Sequence, residues 1–353
     1  MPPTSLPLAD LPSAGHGDLS DPAPQPHPPV GLKGVLLPVA VVLAIGTIFV
    51  SVYLAAFHAP RPHDLPVAIV GTAAQAHRLD AALEQAVAGG FEVRPYDDEA
   101  AAREALRQRE VYAAYLPGRD SAGARLLYAG ANGPSVTGTL TSAFAHTAPE
   151  GGAPPAAEDI LPVSAGDTRG LSVFYAAFGL VLAGYLFGMM TYQVAPTLRL
   201  RRRIVSLTLF GALGGVIVAL LTGDTGFGAL PGSFTGTAVV TALMATAAGG
   251  ATMAIVKWTG SAGAAIASVV LLILGNATSG GIMPASYLPG WLHPLAGVLP
   301  VGAGVRALQG MSYFDNDGLW SGLATLAVWI LACGALLYLR DIRGARRAGP
   351  RTA

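Results

Sequence analysis

Few residue types in this chain are spaced for catalysis. Four histidines fall in its longest polar stretch, but they lack the spacing of metal ligands. These are His58, His63, His77 and His146. The pair Asp97-Asp98 is better explained as a helix start, since aspartate caps helix N-termini. The motifs G-x-S-x-G, H-E-x-x-H and G-x-x-x-x-G-K-[ST] are missing. The sequence predicts no enzyme, no metal and no cofactor, so any ATP hydrolysis would belong to a partner subunit.

The composition is typical of a membrane protein. Of 353 residues, 52% are hydrophobic and only 12% are charged, whereas soluble domains average about 25% charged residues. The formal net charge is zero, which gives no electrostatic reason to expect a nucleic-acid partner. The one cysteine, Cys333, excludes an internal disulfide. Abundant Ala, Gly and Arg suggest a GC-rich bacterial genome.

One apolar stretch is broken by Gly and Pro every few residues. We interpret residues 276–310 as a re-entrant outer segment, because irregular backbone at membrane depth must be buried in protein or line a cavity. Each proline should end one helical piece and start the next. The segment is either a gate over a lateral path or a plain interfacial loop. The predicted gate residues are Asn276, Ser279, Gly280, Gly281, Pro284, Pro289, Pro294 and Pro300.

A basic loop is the other notable cluster. It contains Thr197, Arg199, Arg201, Arg202 and Arg203. Such a loop either docks a cytoplasmic partner or serves as a topology signal that touches lipid phosphates, at ~1 kcal/mol per basic residue.

Six apolar stretches are long enough to be transmembrane helices, since a crossing needs about 20 residues. They cover residues 34–57, 171–195, 204–222, 234–256, 261–282 and 319–339. We therefore predict an α-helical polytopic membrane protein with one span, then a soluble domain, then five spans within residues 171–340. Residues 34–57 are an uncleaved anchor, or alternatively a signal peptide. Residues 1–33 form a disordered tail, and 341–353 a basic one.

The polar stretch at residues 58–170 predicts a small α/β domain. Apolar or alternating strands are expected at 65–71, 91–96, 111–116 and 124–129. Helices are expected at 73–87, from Asp97-Asp98 to Arg109, and after the turn ANGPS. Residues 148–163 are rich in Pro, Gly and Ala and are predicted to be a linker.

Orientation follows from Lys and Arg in short loops. The basic residues of the 197–203 loop, of the C-terminal tail, Lys257 and Lys33 all fall on one face if there are six spans. We expect that face to be cytoplasmic. Both termini would then be cytoplasmic in a bacterial plasma membrane, and residues 58–170 would be extracytoplasmic.

The run LGNATSGGIMPASYLPGWLHPLAGVLPVGAGVRALQGMSYF resembles the last-loop signature of type-2 ABC exporter permeases. The matching positions are Asn276, Ser279, Gly280, Gly281, Pro284, Leu288, Pro289, Pro294, Leu299, Pro300, Ala307 and Leu308. The layout of one span, a large outer domain and five spans is similar to this family and to its phage-infection-protein (YhgE/Pip-like) relatives. The turn at Ala129, Ala131, Asn132 and Gly133 also resembles those relatives.

The resemblance implies a homo- or heterodimer of permease subunits in the lipid bilayer. A separate cytoplasmic ABC ATPase would drive export of a hydrophobic or amphipathic substrate, with 197–203 as the coupling element. Permeases that dock an ATPase usually carry an amphipathic helix before the first span, where this chain is proline-rich. That departure favours the phage-infection-protein relatives over an ATPase-driven permease. The alternative function is a non-transporting surface protein whose outer domain binds a phage, a cell-wall polymer or a secretion partner.

Overall fold

The structure, a computed structural model, describes residues 32–118, 123–148 and 152–347. Of the described residues, those up to Val42 belong to one compact unit and those from Leu43 onward belong to another. Almost all of the predicted N-terminal tail, residues 1–31, lies outside the described residues, as do 348–353 of the basic C-terminal tail. The rest of that predicted tail, 341–347, belongs to the last helix.

Five helical tracts among the described residues are long and apolar enough to cross a membrane. They belong to α1 (Leu32–Phe57), α5 (Ser172–Gln193), α6 (Leu200–Thr222), the tract that begins with α7 (Phe234–Thr259), and α11 (Leu319–Arg347). Many of their large apolar side chains are exposed, for example Leu213, Ile217 and Leu331. Exposure on this scale suits lipid rather than water, so the chain is a polytopic membrane protein.

The predicted fourth and fifth spans form a single 42-residue helical tract, Phe234–Gly275. It is broken at Gly260, where a positive φ of 64° ends α7. The chain continues as a 3-10 turn, then as α8 (Gly263–Ala267) and then as a π-helical stretch (Ser268–Gly275). The count by length and composition is five tracts because the predicted fourth and fifth spans are joined without a non-helical gap. At ~1.5 Å per residue the joined tract is about 63 Å long, enough for two crossings of a ~30 Å core, so the predicted six crossings are not contradicted.

Glycines allow α7 to pack closely against α5 and α6. A Cβ atom at Gly184 would lie 2.9 Å from the Ala248 Cβ, and one at Gly215 would lie 2.8 Å from the Ala242 Cβ. Small residues at helix contacts allow membrane helices to approach this closely. As a result α7 is the central, most buried helix of the bundle.

The predicted α/β domain is present. Its five strands are β1 (Leu65–Val70), β2 (Phe91–Tyr96), β3 (Ala113–Leu116), β4 (Arg125–Tyr128) and β5 (Ala156–Asp159), in the order β2-β1-β3-β4-β5. All pairs are parallel except β3 with β4. Three helices cover the sheet: α2 (Ala73–Ala86), α3 (Glu99–Arg107) and α4 (Pro134–Ala145). Thus the four predicted strands and three predicted helices are confirmed.

Burial on both faces explains the apolar run of β1. Leu65, Val67 and Ile69 pack in one cluster with α2 and α4, whereas Ala68 packs in another with α3. A strand covered on both faces lacks polar alternation. The helix caps are local: the Thr72 side chain caps α2 and that of Asp98 caps α3.

The predicted linker at 148–163 is wrong in part, because it contains the edge strand β5. Residues 149–151 of that prediction lie outside the described residues. The sequence Ala-Ala-Glu-Asp has no apolar alternation, and β5 is mostly exposed. Glu158 accepts from Arg103 at 2.8 Å and contacts Arg125 at 3.3 Å. These ion pairs, and a hydrogen bond that Asp159 accepts from the Gly130 amide at 2.9 Å, are polar side-chain contacts of the strand.

Candidate functional site

The basic loop between α5 and α6 splits into exposed and buried residues. Thr197 and Arg199 are exposed in the connection, and Arg201 and Arg202 are exposed in the first turn of α6. These four predicted coupling residues are therefore free to meet another molecule.

Arg203, the fifth predicted coupling residue, is only 3% exposed. Its guanidinium donates to the carbonyl oxygens of Leu198 at 2.9 Å, Ala195 at 2.7 Å and Pro196 at 2.9 Å, and also to that of Thr191. Helix C-termini leave such carbonyls without intrahelical partners. Arg203 therefore caps the end of α5, a role that spacing alone did not distinguish from docking.

Further basic residues gather at the same end of the bundle. Lys257, near the end of α7, lies 3.4 Å from the Asp341 carboxylate of α11. The guanidinium groups of Arg340 and Arg343 lie 5.7 Å and 5.4 Å from the Trp258 ring centroid. The Tyr192 hydroxyl of α5 donates to the Met253 carbonyl of α7 at 3.3 Å. The ends of α5, α7 and α11 thus form one end of the bundle, which we name the basic end.

The Gly/Pro-rich segment lies at the opposite end. Its prolines start helical pieces: Pro284 precedes a 3-10 turn, Pro294 lies in the first turn of α9 (His293–Val298), and Pro300 begins α10 (Pro300–Tyr313). Proline suits a first helical turn because the N–H it lacks has no intrahelical partner there. Pro289 lies before α9, and its carbonyl accepts from the Leu292 amide at 2.8 Å.

The helix α9 runs along the side of the bundle with none of its residues buried, and α10 returns as a mostly buried helix. The Val298 carbonyl at the end of α9 accepts from Trp329 Nε1 at 2.8 Å. Trp329 lies ten residues after the first residue of α11, or about 15 Å along its axis. Later, α10 returns so that the Gln309 amide donates to the Gly280 carbonyl at 3.4 Å. The path has the shape of the predicted re-entrant pair, while its depth in a bilayer stays a prediction.

The first four predicted gate residues form a hydrogen-bonded turn. The Ser279 hydroxyl donates to the Asn276 carbonyl at 2.9 Å and accepts from the Gly281 amide at 3.2 Å. Gly280 has a φ of 78°, which a side chain would strain. Gly281 packs on Phe174, where a Cβ would lie 3.0 Å from the Phe174 Cβ. Asn276, Ser279, Gly280 and Gly281 therefore end the helical tract and turn the chain.

The residues that follow this turn pack against the α/β domain. Met283 and Tyr287 are buried in the same apolar cluster as Val136 and Leu140 of α4. The His63 amide also donates to the Ser286 carbonyl at 2.9 Å. The domain and the segment consequently share one core, so a motion of either must move or break that core.

A polar cavity of about 280 Å³ lies at this shared boundary, and we name it the junction pocket. Three predicted gate residues line it: Ser279, Gly280 and Pro284. The residues that sequence reasoning missed are Arg109, Tyr112, Asn132, Ser286, His293, Arg306 and Gln309, with apolar residues completing the lining. Arg306 is the one charged residue between Gly275 and Met311, a signal that could have marked it.

Arg109 is fixed in the junction pocket by several contacts. Its Nη1 donates to Gln309 Oε1 at 3.2 Å, and its Nε lies 3.4 Å from the Asp317 carboxylate. Its guanidinium carbon lies 4.1 Å from the Phe314 ring centroid, within the range of a cation–π interaction. Burial lowers the pKa of Arg109 and raises the pKa of Tyr112, because both groups lose contact with water.

An apolar groove of about 790 Å³ also lies between α5 and α6. Tyr175, Leu213, Ile217 and Phe227 contribute to its lining. No three His, Cys, Asp or Glu side chains group closely enough to hold a metal ion in the part of the chain that the structure describes.

Comparison of the chain with protein-family models, with curated proteins and with solved structures finds no match.

Proposed function

We propose that the chain is the permease subunit of a type-2 ABC exporter in a bacterial plasma membrane. It would move a hydrophobic or amphipathic substrate outward, driven by a separately encoded ATPase. The observation that carries this proposal is the path of residues 276–310, which pack against the α/β domain, run along the bundle as α9 and return as the buried helix α10. Broken helices of this kind are where membrane transporters commonly build their substrate paths.

The charge distribution supports an orientation for this permease. Exposed Arg199, Arg201 and Arg202 belong to the basic loop, and Lys257 lies at the basic end, away from the α/β domain. Basic residues stay on the cytoplasmic side of membrane proteins. The basic end is therefore the cytoplasmic face and the α/β domain is extracytoplasmic in this proposal.

The packing of α6 supports a route from the loop to the gate. Arg203 ties the start of α6 to the end of α5, and Gly215 brings α6 against α7. Met244 of α7 in turn contacts Gly304 of α10. A partner that moved the exposed loop would thus push a continuous set of packed helices toward α10. The permease would act as a dimer, as the family resemblance implies.

The test is co-purification of the full chain from membranes of its own host in mild detergent. We expect an ATPase subunit to be recovered with the wild-type chain, and recovery to fall at least tenfold when Arg199, Arg201 and Arg202 are all replaced by Ala. Arg203 stays unchanged, so that the α5 end remains capped. The matched control replaces three exposed arginines away from the basic end: Arg61→Ala, Arg78→Ala and Arg107→Ala.

Two outcomes would count against the permease. Recovery of no ATPase with the wild-type chain, together with normal export in a deletion strain, would remove the proposal. Loss of the ATPase in the triple variant because the chain inserts in the opposite orientation would show that the arginines act as a topology signal.

The second candidate function is a non-transporting surface protein, and a pocket in the α/β domain favours it. This cavity of about 380 Å³ is lined by Val70 at the end of β1, Asp97 after β2 and Leu116 at the end of β3. The helices α2 and α3 cover opposite faces of the sheet, so the chain switches sides at this point. Ligands of open α/β sheets bind at such a switch point. A deletion strain with normal export but lost adsorption of a phage or wall polymer would favour this function.

A further inference from the structure

We propose that the junction pocket binds a phosphate group, either of a free phosphate compound or of a lipid headgroup. This inference goes beyond the exporter proposal and does not depend on any ATPase. It rests on unpaired donors, on the net charge and on the shape of the pocket.

The pocket contains buried donors that lack acceptors. The Nη2 of Arg109 and the Nδ2 of Asn132 have no hydrogen-bond partner within the described residues, although both side chains line the cavity. Buried polar groups in proteins are nearly always satisfied, so an unpaired one requires an explanation. These two residues come from different elements, the end of α3 and the turn before α4, and both line the same cavity.

The charge of the pocket is positive. Arg109 and Arg306 both line it, and Asp317 is the acidic group in contact with Arg109. Asp317 lies nearest to Arg109 at Nε, so its carboxylate does not satisfy Nη2. The Gln309 side chain is already used on both of its ends, by Arg109 Nη1 and by the Gly280 carbonyl. Arginine favours phosphate and carboxylate oxygens because its planar fork matches them.

Arg109 is held in place before any ligand binds, because its guanidinium packs on Phe314 and donates to Gln309. The stem of Arg306 packs on Gly318, whose φ of 72° and missing side chain leave room for it, while Arg306 itself is exposed. A pre-positioned donor loses little side-chain freedom on binding.

The volume and rim fit a phosphate that is attached to a larger group. The cavity of about 280 Å³ is near the lower end of the ~300–1,000 Å³ range of small-molecule sites. His293 and Ala296 of α9 line it, and the neighbouring Trp291 and Val298 are about 60% exposed. An apolar rim beside a cationic pocket is suited to a lipid headgroup, whereas an aqueous phosphate compound would enter from the domain side.

The test measures the melting temperature of the purified full chain in a phosphate-free nonionic detergent. One arm titrates inorganic phosphate against sodium chloride of equal ionic strength. The other arm adds mixed micelles with dioleoyl phosphatidic acid, compared with dioleoyl phosphatidylcholine. We expect a saturable rise in melting temperature in at least one arm, because a ligand that binds only the folded state stabilises it.

The variants identify the site. We expect Arg306→Gln and Arg109→Gln to weaken the apparent affinity at least tenfold, and the matched control Arg107→Gln to leave it unchanged. Arg306 is exposed, so Arg306→Gln should fold even if Arg109→Gln does not. A response to inorganic phosphate identifies a free phosphate compound, and a response to phosphatidic acid alone identifies a lipid headgroup.

The proposal is overturned if neither arm exceeds its chloride or phosphatidylcholine control. It is equally overturned if Arg306→Gln and Arg107→Gln bind with the same affinity as the wild-type chain. Neither result would bear on co-purification of an ATPase, so the two proposals fail separately.

Discussion

At the scale of single residues, neighbours in the sequence have different roles. Arg202 and Arg203 are adjacent, yet Arg202 is exposed while Arg203 is buried against carbonyl groups at the end of α5. The two residues carry the same charge, so charge alone does not distinguish their roles. Their difference arises because α6 turns successive side chains by about 100°, so that Arg203 faces the end of α5.

We predict that Arg203→Ala destabilises the chain and that Arg202→Ala does not. Loss of the guanidinium would remove its hydrogen bonds to the Thr191 carbonyl in the last turn of α5 and to three carbonyls of the following connection, at a cost of about 2–3 kcal/mol in unfolding free energy. An exposed substitution usually stays within about 0.5 kcal/mol. Thermal unfolding of both variants in detergent measures the difference. Equal melting temperatures would show that Arg203 is not a cap.

At the scale of elements, two kinds of contact hold the fold together. The bundle depends on glycine contacts between α6 and α7, whereas the edge of the sheet depends on ion pairs. Glu99 and Glu158 alternate with Arg103 and Arg125 in a closed set of four contacts that joins α3, β4 and β5. Single exposed pairs contribute only ~0–1 kcal/mol, but a network of several charges is a stronger case.

We predict that Gly215→Ala lowers the unfolding free energy by about 1–3 kcal/mol, because a methyl group there overpacks the α6–α7 contact. The neighbour Gly214 is the matched control, since its nearest contact is an ordinary one of 3.6 Å to Leu180. Gly214→Ala should be neutral or stabilise the helix by up to ~1 kcal/mol. Thermal unfolding of the two variants decides whether the close contact matters.

We predict that Glu158→Gln increases hydrogen exchange of the β5 amides, measured by mass spectrometry. Removing the carboxylate charge breaks the contacts that tie β5 to Arg103 and Arg125, so the edge strand should open more often. Glu92→Gln is the control, because Glu92 pairs with Arg94 on β2 at the other edge. Unchanged exchange in Glu158→Gln would mean that backbone pairing alone holds β5.

The same network should respond to acid. Hydrogen bonding from Arg103, followed by Arg125, lowers the pKa of Glu99. A carboxyl whose pKa is lower in the folded state stabilises the fold above its unfolded pKa, and this stability is lost as the pH falls through the folded pKa. We therefore expect the protection factors of the β5 amides, which correct for the intrinsic pH dependence of exchange, to fall below about pH 4.5, the ordinary glutamate value. In Glu99→Gln this acid-induced loss of protection should be smaller.

At the scale of the whole molecule, the α/β domain and the basic end lie at opposite ends of the bundle. The α/β domain shares a core with the Gly/Pro-rich segment at one end, and the basic loop, Lys257 and Arg340 lie at the other. This separation is the basis for the proposed orientation. Because the sequence contains a single cysteine, Cys333, its removal allows the orientation to be tested by labelling cysteines introduced at either end.

We predict that a membrane-impermeant maleimide labels Asp80→Cys on intact cells and labels Arg202→Cys only after permeabilisation. Both substitutions are made on a Cys333→Ala background, and both positions are exposed. The reverse pattern would place the α/β domain in the cytoplasm and remove the exporter orientation.

The sequence by itself determined the features that depend on local patterns. Apolar length identified the membrane-crossing tracts, alternation identified β2, and Asp98 predicted the start of α3, because these signals act within a few residues. The prolines at 284, 294 and 300 likewise marked the starts of short helical pieces. The predicted link between the fourth and fifth spans coincides with the break at Gly260, and the number of crossings stays a prediction.

Only the tertiary structure decided which distant residues meet. It brought Arg109 beside Gln309, it paired β5 with β4, and it turned Arg203 into a cap. None of these contacts has a local signal, since each depends on how packed helices and strands bring together residues far apart in the chain or on opposite faces of a helix. The junction pocket exists for the same reason: its donors come from the α/β domain and from α10, and only the shared core holds them together.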